Sequence, residues 1–197
     1  NTPELSPTDP QQDTVVDGLL QLMGQAKKDL LIVSPYFVPG PDMKQAFAAA
    51  RARGVRVRVL TNSLASNDAP IAHAGYARHR PELLATGLEL YEMRSELSGL
   101  RSVLQGTGSS GVTGSSGDSK AMLHSKLLIL DGRLLVIGSM NLDLRSQLQN
   151  TEIALLIRSR SVSARATEQI EAALEDAAWR VEQDSEGRLV WRAPKDS

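Results

Sequence analysis

The sequence predicts an α/β domain: a mixed, mostly parallel β-sheet with helices packed on it. Three observations carry this. Short apolar runs of strand length alternate with amphipathic stretches of helix length through the first half of the chain, the βαβαβ rhythm of a parallel sheet. Later, an Asp-Gly pair between two apolar runs marks a hairpin, which adds antiparallel strands. A chain of 197 residues, 41% hydrophobic and 23% charged with a net charge of −1, has the size and balance of one soluble globular domain.

The elements follow in order. Residues 1–10, with three prolines, read as an extended lead-in to a domain spanning 11–197. Thr14 to Lys27 carries Val15, Val16, Leu19, Leu20, Leu22 and Met23 at helical spacing. Leu30-Leu31-Ile32-Val33, stopped by Ser34-Pro35, reads as a strand buried on both faces. Pro41-Asp42 opens a second helix that ends near Gly54. Val55, Val57 and Val59 alternate with arginines in a strand closing at Leu60-Thr61-Asn62. Pro70 to Ala85 reads as one helix, and Leu88 to Tyr91 as the next strand. From Ser98 to Ser119 Gly and Ser dominate, the composition of a flexible loop. Met122 to Leu130, Leu134 to Gly138 and Ile153 to Ile157 read as strands, 162–181 as an amphipathic helix, and Leu189-Val190-Trp191 as a last short strand.

Composition excludes more than it assigns. The absence of cysteine rules out disulfides, thiolate zinc sites and cysteine nucleophiles. No apolar stretch approaches the roughly 18 residues that span a bilayer. Asn1-Thr2-Pro3, without an initiator Met or an export signal, reads as the start of an excised or processed domain. A net charge of −1 gives no bulk attraction to nucleic acid, which makes a nucleic-acid partner unlikely.

Chemistry concentrates in MLHSKLLILDGRLLVIGSMN, residues 122–141, which holds one of the chain's 3 histidines. On a strand His124 and Lys126 point the same way. A two-residue hairpin loop, either Asp131-Gly132 or Gly132-Arg133, would bring Ser139 and Asn141 to that same face. A base, a cation and two neutral hydrogen-bonding groups suit a phosphoryl oxygen: Lys126 supplies charge, Ser139 and Asn141 supply donors, and His124 stands ready to attack or to move a proton. Asp131 lies roughly 23 Å along a continuous strand from His124, too far to orient it. Its expected role is to shape the turn or pair with a distant cation. The carboxylate for His124 is expected from Glu152, at the start of the next strand.

His124-x-Lys126-x4-Asp131, then six residues, then Gly138-Ser139-Met140-Asn141, resembles the HxKx4Dx6GSxN signature of the phospholipase D superfamily. Ser34 to Gly40, Leu60 to Asp68, His73 to Arg78 and Asn150-Thr151-Glu152 are similar to the C-terminal half of bacterial cardiolipin synthases, especially the C-type branch. The resemblance implies a phospholipase D-like α/β/α sandwich. It also implies catalysis without metal or cofactor, in which one histidine attacks a phosphodiester, forms a phosphohistidine, and a second histidine protonates the leaving alcohol.

By that resemblance His124, Lys126, Asp131, Ser139, Asn141 and Glu152 form the catalytic set. His124 is nucleophile or general acid, Lys126 and Asn141 stabilise the equatorial oxygens, Ser139 supports them, and Glu152 holds the His tautomer. The substrates implied are phospholipids such as phosphatidylglycerol, at the membrane surface, with a bacterial protein peripheral to the inner membrane. Tyr36, Asn62, His73 and Tyr76 are the candidate substrate-binding residues. Tyr36 follows a strand's C-terminal end. His73, Tyr76 and Arg80 share one helix face, which suits packing as well as a headgroup pocket. Arg51, Arg53, Arg56 and Arg58 suit either anionic lipid or a solvated strand face.

Family enzymes carry two such motifs, and this chain has one. His73 and His79 lack a lysine two residues on. The second half-site is therefore expected from an N-terminal half of the same protein or from a second copy in a homodimer. The alternatives are a phospholipase D-type phosphodiesterase, a homodimeric nuclease of the superfamily, or a catalytically incomplete phospholipid-binding domain.

Overall fold

A computed structural model describes residues 15–66, 70–94, 123–139 and 153–193. The lead-in and the Gly/Ser-rich stretch 98–119 lie outside the described residues. Strands β1 (Asp29–Val33), β2 (Arg56–Asn62), β3 (Glu89–Met93), β4 (Leu127–Leu130), β5 (Leu134–Gly138), β6 (Ala154–Arg158), β7 (Ala178–Gln183) and β8 (Leu189–Arg192) form one 8-stranded sheet, ordered β6-β5-β4-β1-β2-β3-β7-β8. The βαβαβ segment is parallel as its rhythm predicts, β1 with β2 and β2 with β3. Every other pairing is antiparallel, so the mixed sheet is parallel only at its centre.

Strand alternation divides the core into two layers. Leu30, Ile32, Val57, Val59, Leu128 and Leu130 face helices α1 (Val15–Gly24), α2 (Pro41–Ala52), α3 (Pro70–Ala77) and α4 (Arg80–Ala85), meeting Leu19, Met23, Phe47, Tyr76 and Leu83. Leu31, Val33, Leu60, Ile129 and Leu135 face α5 (Arg160–Asp176), meeting Ile170 and Leu174. A fully buried side chain such as Phe47 contributes roughly 1.5–3 kcal/mol.

Local chemistry sets the boundaries. Pro41 starts α2 where its missing N–H costs nothing, and Gly54 at φ 80 ends it. Ser159 caps α5, its hydroxyl accepting the Val162 N–H at 3.3 Å. The single helix expected over 70–85 is two. Pro81, in the first turn of α4, has no N–H to continue the ladder from α3, and the chain breaks at Arg78-His79. The helix expected to reach 181 stops at Asp176. Val181 falls on the same stripe as Leu174 but belongs to β7, where it pairs with Leu90 of β3.

Arg58 corrects another expectation. It is buried, with Nη2 2.9 Å from Asp29 and Nη1 2.6 Å from Glu171, so it ties β1, β2 and α5 together. Burial opposes its charge, but the bonds to both carboxylates outweigh that and hold its pKa above the usual range. Arg56, two residues earlier on the same face, reaches towards β3 and forms a forked pair with Glu89 at 2.6 and 2.7 Å. Arg58 is thus closed to a lipid surface, whereas Arg56, though paired, stays exposed.

Candidate active site

β4 runs antiparallel to β1 in the register Val33↔Leu127, so the segment before Leu127 lies beside the chain leaving β1. The carboxyl ends of β1 to β3, the residues entering β4 and the end of β5 therefore share one rim of the sheet. Ligands of open α/β sheets collect at such a rim. His124 is exposed there and Lys126 is half-buried. The Lys126 ammonium donates to the His124 carbonyl at 3.2 Å.

The hairpin below them differs from either expected loop. Asp131 and Gly132, at φ 50 and 60, form the tight turn that Asp-Gly predicts, closed by the Arg133 N–H donating to the Leu130 carbonyl at 2.9 Å. Arg133 stays out of the ladder as well, and Leu130 pairs with Leu134 across a three-residue loop, 131–133. Lys126 consequently stands opposite Gly138, whose N–H donates to the Lys126 carbonyl at 3.1 Å. Ser139 is opposite neither Lys126 nor His124. Strand pairing also begins only at Leu127, so His124 and Lys126 sit just before β4 instead of within it.

Ser139 is anchored to the neighbouring strand's approach. Its hydroxyl accepts the Ile153 N–H at 3.1 Å, and its own N–H donates to the Ile153 carbonyl at 3.0 Å. Gly138 precedes it because a Cβ there would stand 3.2 Å from the Ile153 oxygen. Asn141 and Glu152, which sequence places at the site, lie outside the described residues.

Asp131 is engaged at the far end of β4. Its carboxylate accepts the backbone N–H groups of Lys27, Lys28 and Asp29 at 2.7–3.1 Å through Oδ1, and Arg133 stands 3.5 Å from Oδ2. Burial pushes its pKa up, but these three N–H groups and Arg133 outweigh that and hold it below the ordinary carboxylate value. Of the two roles expected for it, the turn is the one it fills, with the α1–β1 connection bound to it.

The candidate substrate-binding residues divide. Tyr36 is half-buried on the rim after β1, in the turn where the Ser34 hydroxyl donates to the Tyr36 carbonyl at 2.7 Å. His73 and Tyr76 are buried at 6% and 2% exposure, so the packing alternative holds for their helix face in place of an open headgroup pocket. Arg80 Nη2 lies 2.9 Å from His73 Nε2, and Arg80 Nε donates to Glu92 at 2.7 Å. Glu92 also accepts the Trp191 indole N–H at 3.0 Å, while the Arg80 guanidinium lies 4.8 Å over the Tyr76 ring. Burial and the neighbouring Arg80 charge hold the His73 pKa below its usual value, against the pull of Glu92. Burial likewise raises that of Tyr76.

Asn62 is also buried, and both ends of its amide engage Leu123. The Leu123 N–H donates to Asn62 Oδ1 at 2.9 Å, and Nδ2 faces the Leu123 carbonyl at 3.4 Å. Ser66 braces it, within 3.5 Å of Oδ1 and donating to the Met93 carbonyl at 3.1 Å. Ser66, Arg80 and Glu92 carry no signal of their role in the sequence. Only its place at the end of a predicted strand hints at Asn62.

The sheet and rim define a phospholipase D-like α/β domain. Residues 19–174 match the family described as cardiolipin synthase, PLD-like domain, and the chain belongs to that family. It is 40% identical over 177 residues to cardiolipin synthase C of Escherichia coli (strain K12), covering 88% of this chain and 35% of the relative. It thus spans about a third of that relative's length. Its fold is similar to that of phosphatidylserine synthase from Haemophilus influenzae (TM-score 0.64, 18% identity, 88% of this chain and 38% of that one). It is also similar to that of the phospholipase D family member Nuc from Salmonella typhimurium (TM-score 0.60, 18% identity, 88% and 95%).

Proposed function

We propose that this chain supplies one of two half-sites of a phosphatidyltransferase that moves a phosphatidyl group between phospholipids through a phosphohistidine. The observation that carries the reading is the exposed His124 with Lys126 beside it, on the rim at the carboxyl ends of β1 to β3 in a domain 40% identical to a cardiolipin synthase. In the reaction an imidazole nitrogen attacks the phosphorus of a phosphatidylglycerol and the bond to the glycerol oxygen breaks. The other motif histidine of the pair protonates that oxygen. It then takes the proton from an acceptor phospholipid's hydroxyl, whose oxygen displaces the histidine from phosphorus.

His124 takes either the nucleophilic or the acid-base part. Lys126 stabilises charge on the phosphoryl oxygens, with Asn141 beside it, Ser139 in support and Glu152 holding the His124 tautomer. The other half-site comes from a further segment of a longer protein or from a second copy of the chain. Lipid substrates imply work at a bacterial membrane surface. Among the described residues no helix is long and apolar enough to cross a membrane, and peripheral attachment accords with that.

The test joins the chain to a half carrying the second motif. Brief incubation with phosphatidylglycerol and an alkaline quench should leave an acid-labile phosphoadduct on one motif histidine, with cardiolipin as product. An adduct on His124 makes it the nucleophile, and an adduct on the other half's histidine makes it the general acid. No adduct on either, or activity abolished by a chelator, would sink the mechanism.

A further inference from the structure

We infer that Asn62 is a positioning residue for His124, acting through the backbone of Leu123. The inference rests on the phosphoryl-transfer reading of His124 and adds a component to it. Residues 123–126 precede the first ladder pair of β4, so the segment that carries His124 and Lys126 has little sheet pairing of its own. What holds its upstream end is a side chain remote in sequence. Asn62, at the last position of β2, accepts the Leu123 N–H at 2.9 Å and presents its amide nitrogen to the Leu123 carbonyl at 3.4 Å.

An amide is suited to this because it alone of the short side chains offers an acceptor and a donor side by side. Asp would lose the donor, and Leu would match the shape with neither group. Asn62 therefore pairs with Leu123 as a neighbouring strand would, where no strand among the described residues reaches. The Leu123 side chain is 1% exposed, in the layer beneath α5, so packing and hydrogen bonding fix the same residue. Ser66 packs beside the amide, its Oγ 3.5 Å from Oδ1, while its one hydroxyl proton ties it to the end of β3 through the Met93 carbonyl at 3.1 Å. The peptide that leaves Leu123 leads directly into His124, so the clamp fixes the backbone from which the imidazole projects. Asn62, at 1% exposure with its amide so engaged, is thereby reassigned from substrate contact to geometry.

The test uses the chain joined to its second-motif half, with phosphatidylglycerol and a soluble chromogenic phosphodiester as substrates. Asn62→Leu should lower kcat about 100-fold on both, the scale of a misplacement near 1 Å, with KM changed less than about twofold. Ser66→Ala should lower kcat in the same direction by a smaller factor. Hydrogen exchange on the wild-type chain should show the Leu123 amide protected to the level of β2 amides, a readout that stands even where Asn62→Leu fails to fold.

A Leu123 amide exchanging as fast as unstructured chain would overturn the inference. So would a rise in KM at unchanged kcat, which would make Asn62 a substrate contact, or a loss of activity matching only the unfolded fraction. The two readings fail separately. A wild-type protein that cleaves the soluble diester through His124 but forms no cardiolipin ends the transfer reading and leaves the clamp testable. Cardiolipin synthesis at the wild-type rate by folded Asn62→Leu ends the clamp alone.

Discussion

Replacing Asp131 separates a structural from a chemical role for the motif's carboxylate. The Asp131 side chain accepts N–H groups from Lys27, Lys28 and Asp29 and stands at φ 50. Hydrogen bonds to a charged group are each worth about 1.5–3 kcal/mol, but the Lys27 and Lys28 amides are exposed enough for water to replace most of theirs. The bond to Asp29, half-buried, is the one chiefly lost. A side chain without Asp's local hydrogen bonding adds about 1 kcal/mol at positive φ. Asp131→Ala should therefore destabilise by about 3 kcal/mol, which for a domain of this size lowers Tm by roughly 6–12 °C. Asp131→Asn tolerates the turn and should lose only about 1 kcal/mol.

Urea and thermal unfolding of the chain measure both. The carboxylate's pKa is depressed in the fold, so its contribution is full above the unfolded value of about 3.9 and declines as pH falls through the lower folded value. The gap between wild type and Asp131→Asn should close in acid. A variant that keeps its Tm and loses kcat, assayed with the second half-site present, would refute the structural assignment.

Two further outcomes follow from the buried charges. Arg58→Met should cost roughly 3 kcal/mol in urea unfolding, since it leaves Asp29 and Glu171 unpaired across two layers; unchanged stability would mean that water already screens both carboxylates. His73 is held below its usual pKa, so the stability it confers is full above the unfolded value of about 6.5 and declines as pH falls through the lower folded value. His73→Gln, which still offers Arg80 an acceptor, should flatten that part of the stability profile. Equal slopes for wild type and variant would count against a neutral His73.

The parallel centre of the sheet was legible because β1 is a short apolar run, β2 alternates valine with arginine, and their neighbours have helical period; local pattern suffices for that. β7 was not, because Val181 continues the helical stripe of 162–181 and only pairing with Leu90 reveals a strand. At the site, spacing alone excluded Asp131 from contact with His124, but the shared face it predicted for Ser139 with His124 and Lys126 depended on an even-length loop and was not kept. The hairpin register was out of reach. Asp-Gly specifies the turn but not whether Arg133 joins the ladder, and one residue there moves every pairing that follows.

Tertiary structure decided which polar residues are free to meet a ligand. Nothing local distinguishes Asn62, His73 or Arg58 from surface groups. Asn62 and Arg58 are buried because partners distant in sequence, Leu123 and Asp29 with Glu171, meet their hydrogen-bonding need across the fold, and His73 because Arg80, itself tied to Glu92, turns back onto it. The sequence by itself determined the family. Long-range contacts determined the division of labour, because burying a polar group costs free energy that only a partner delivered by folding can offset.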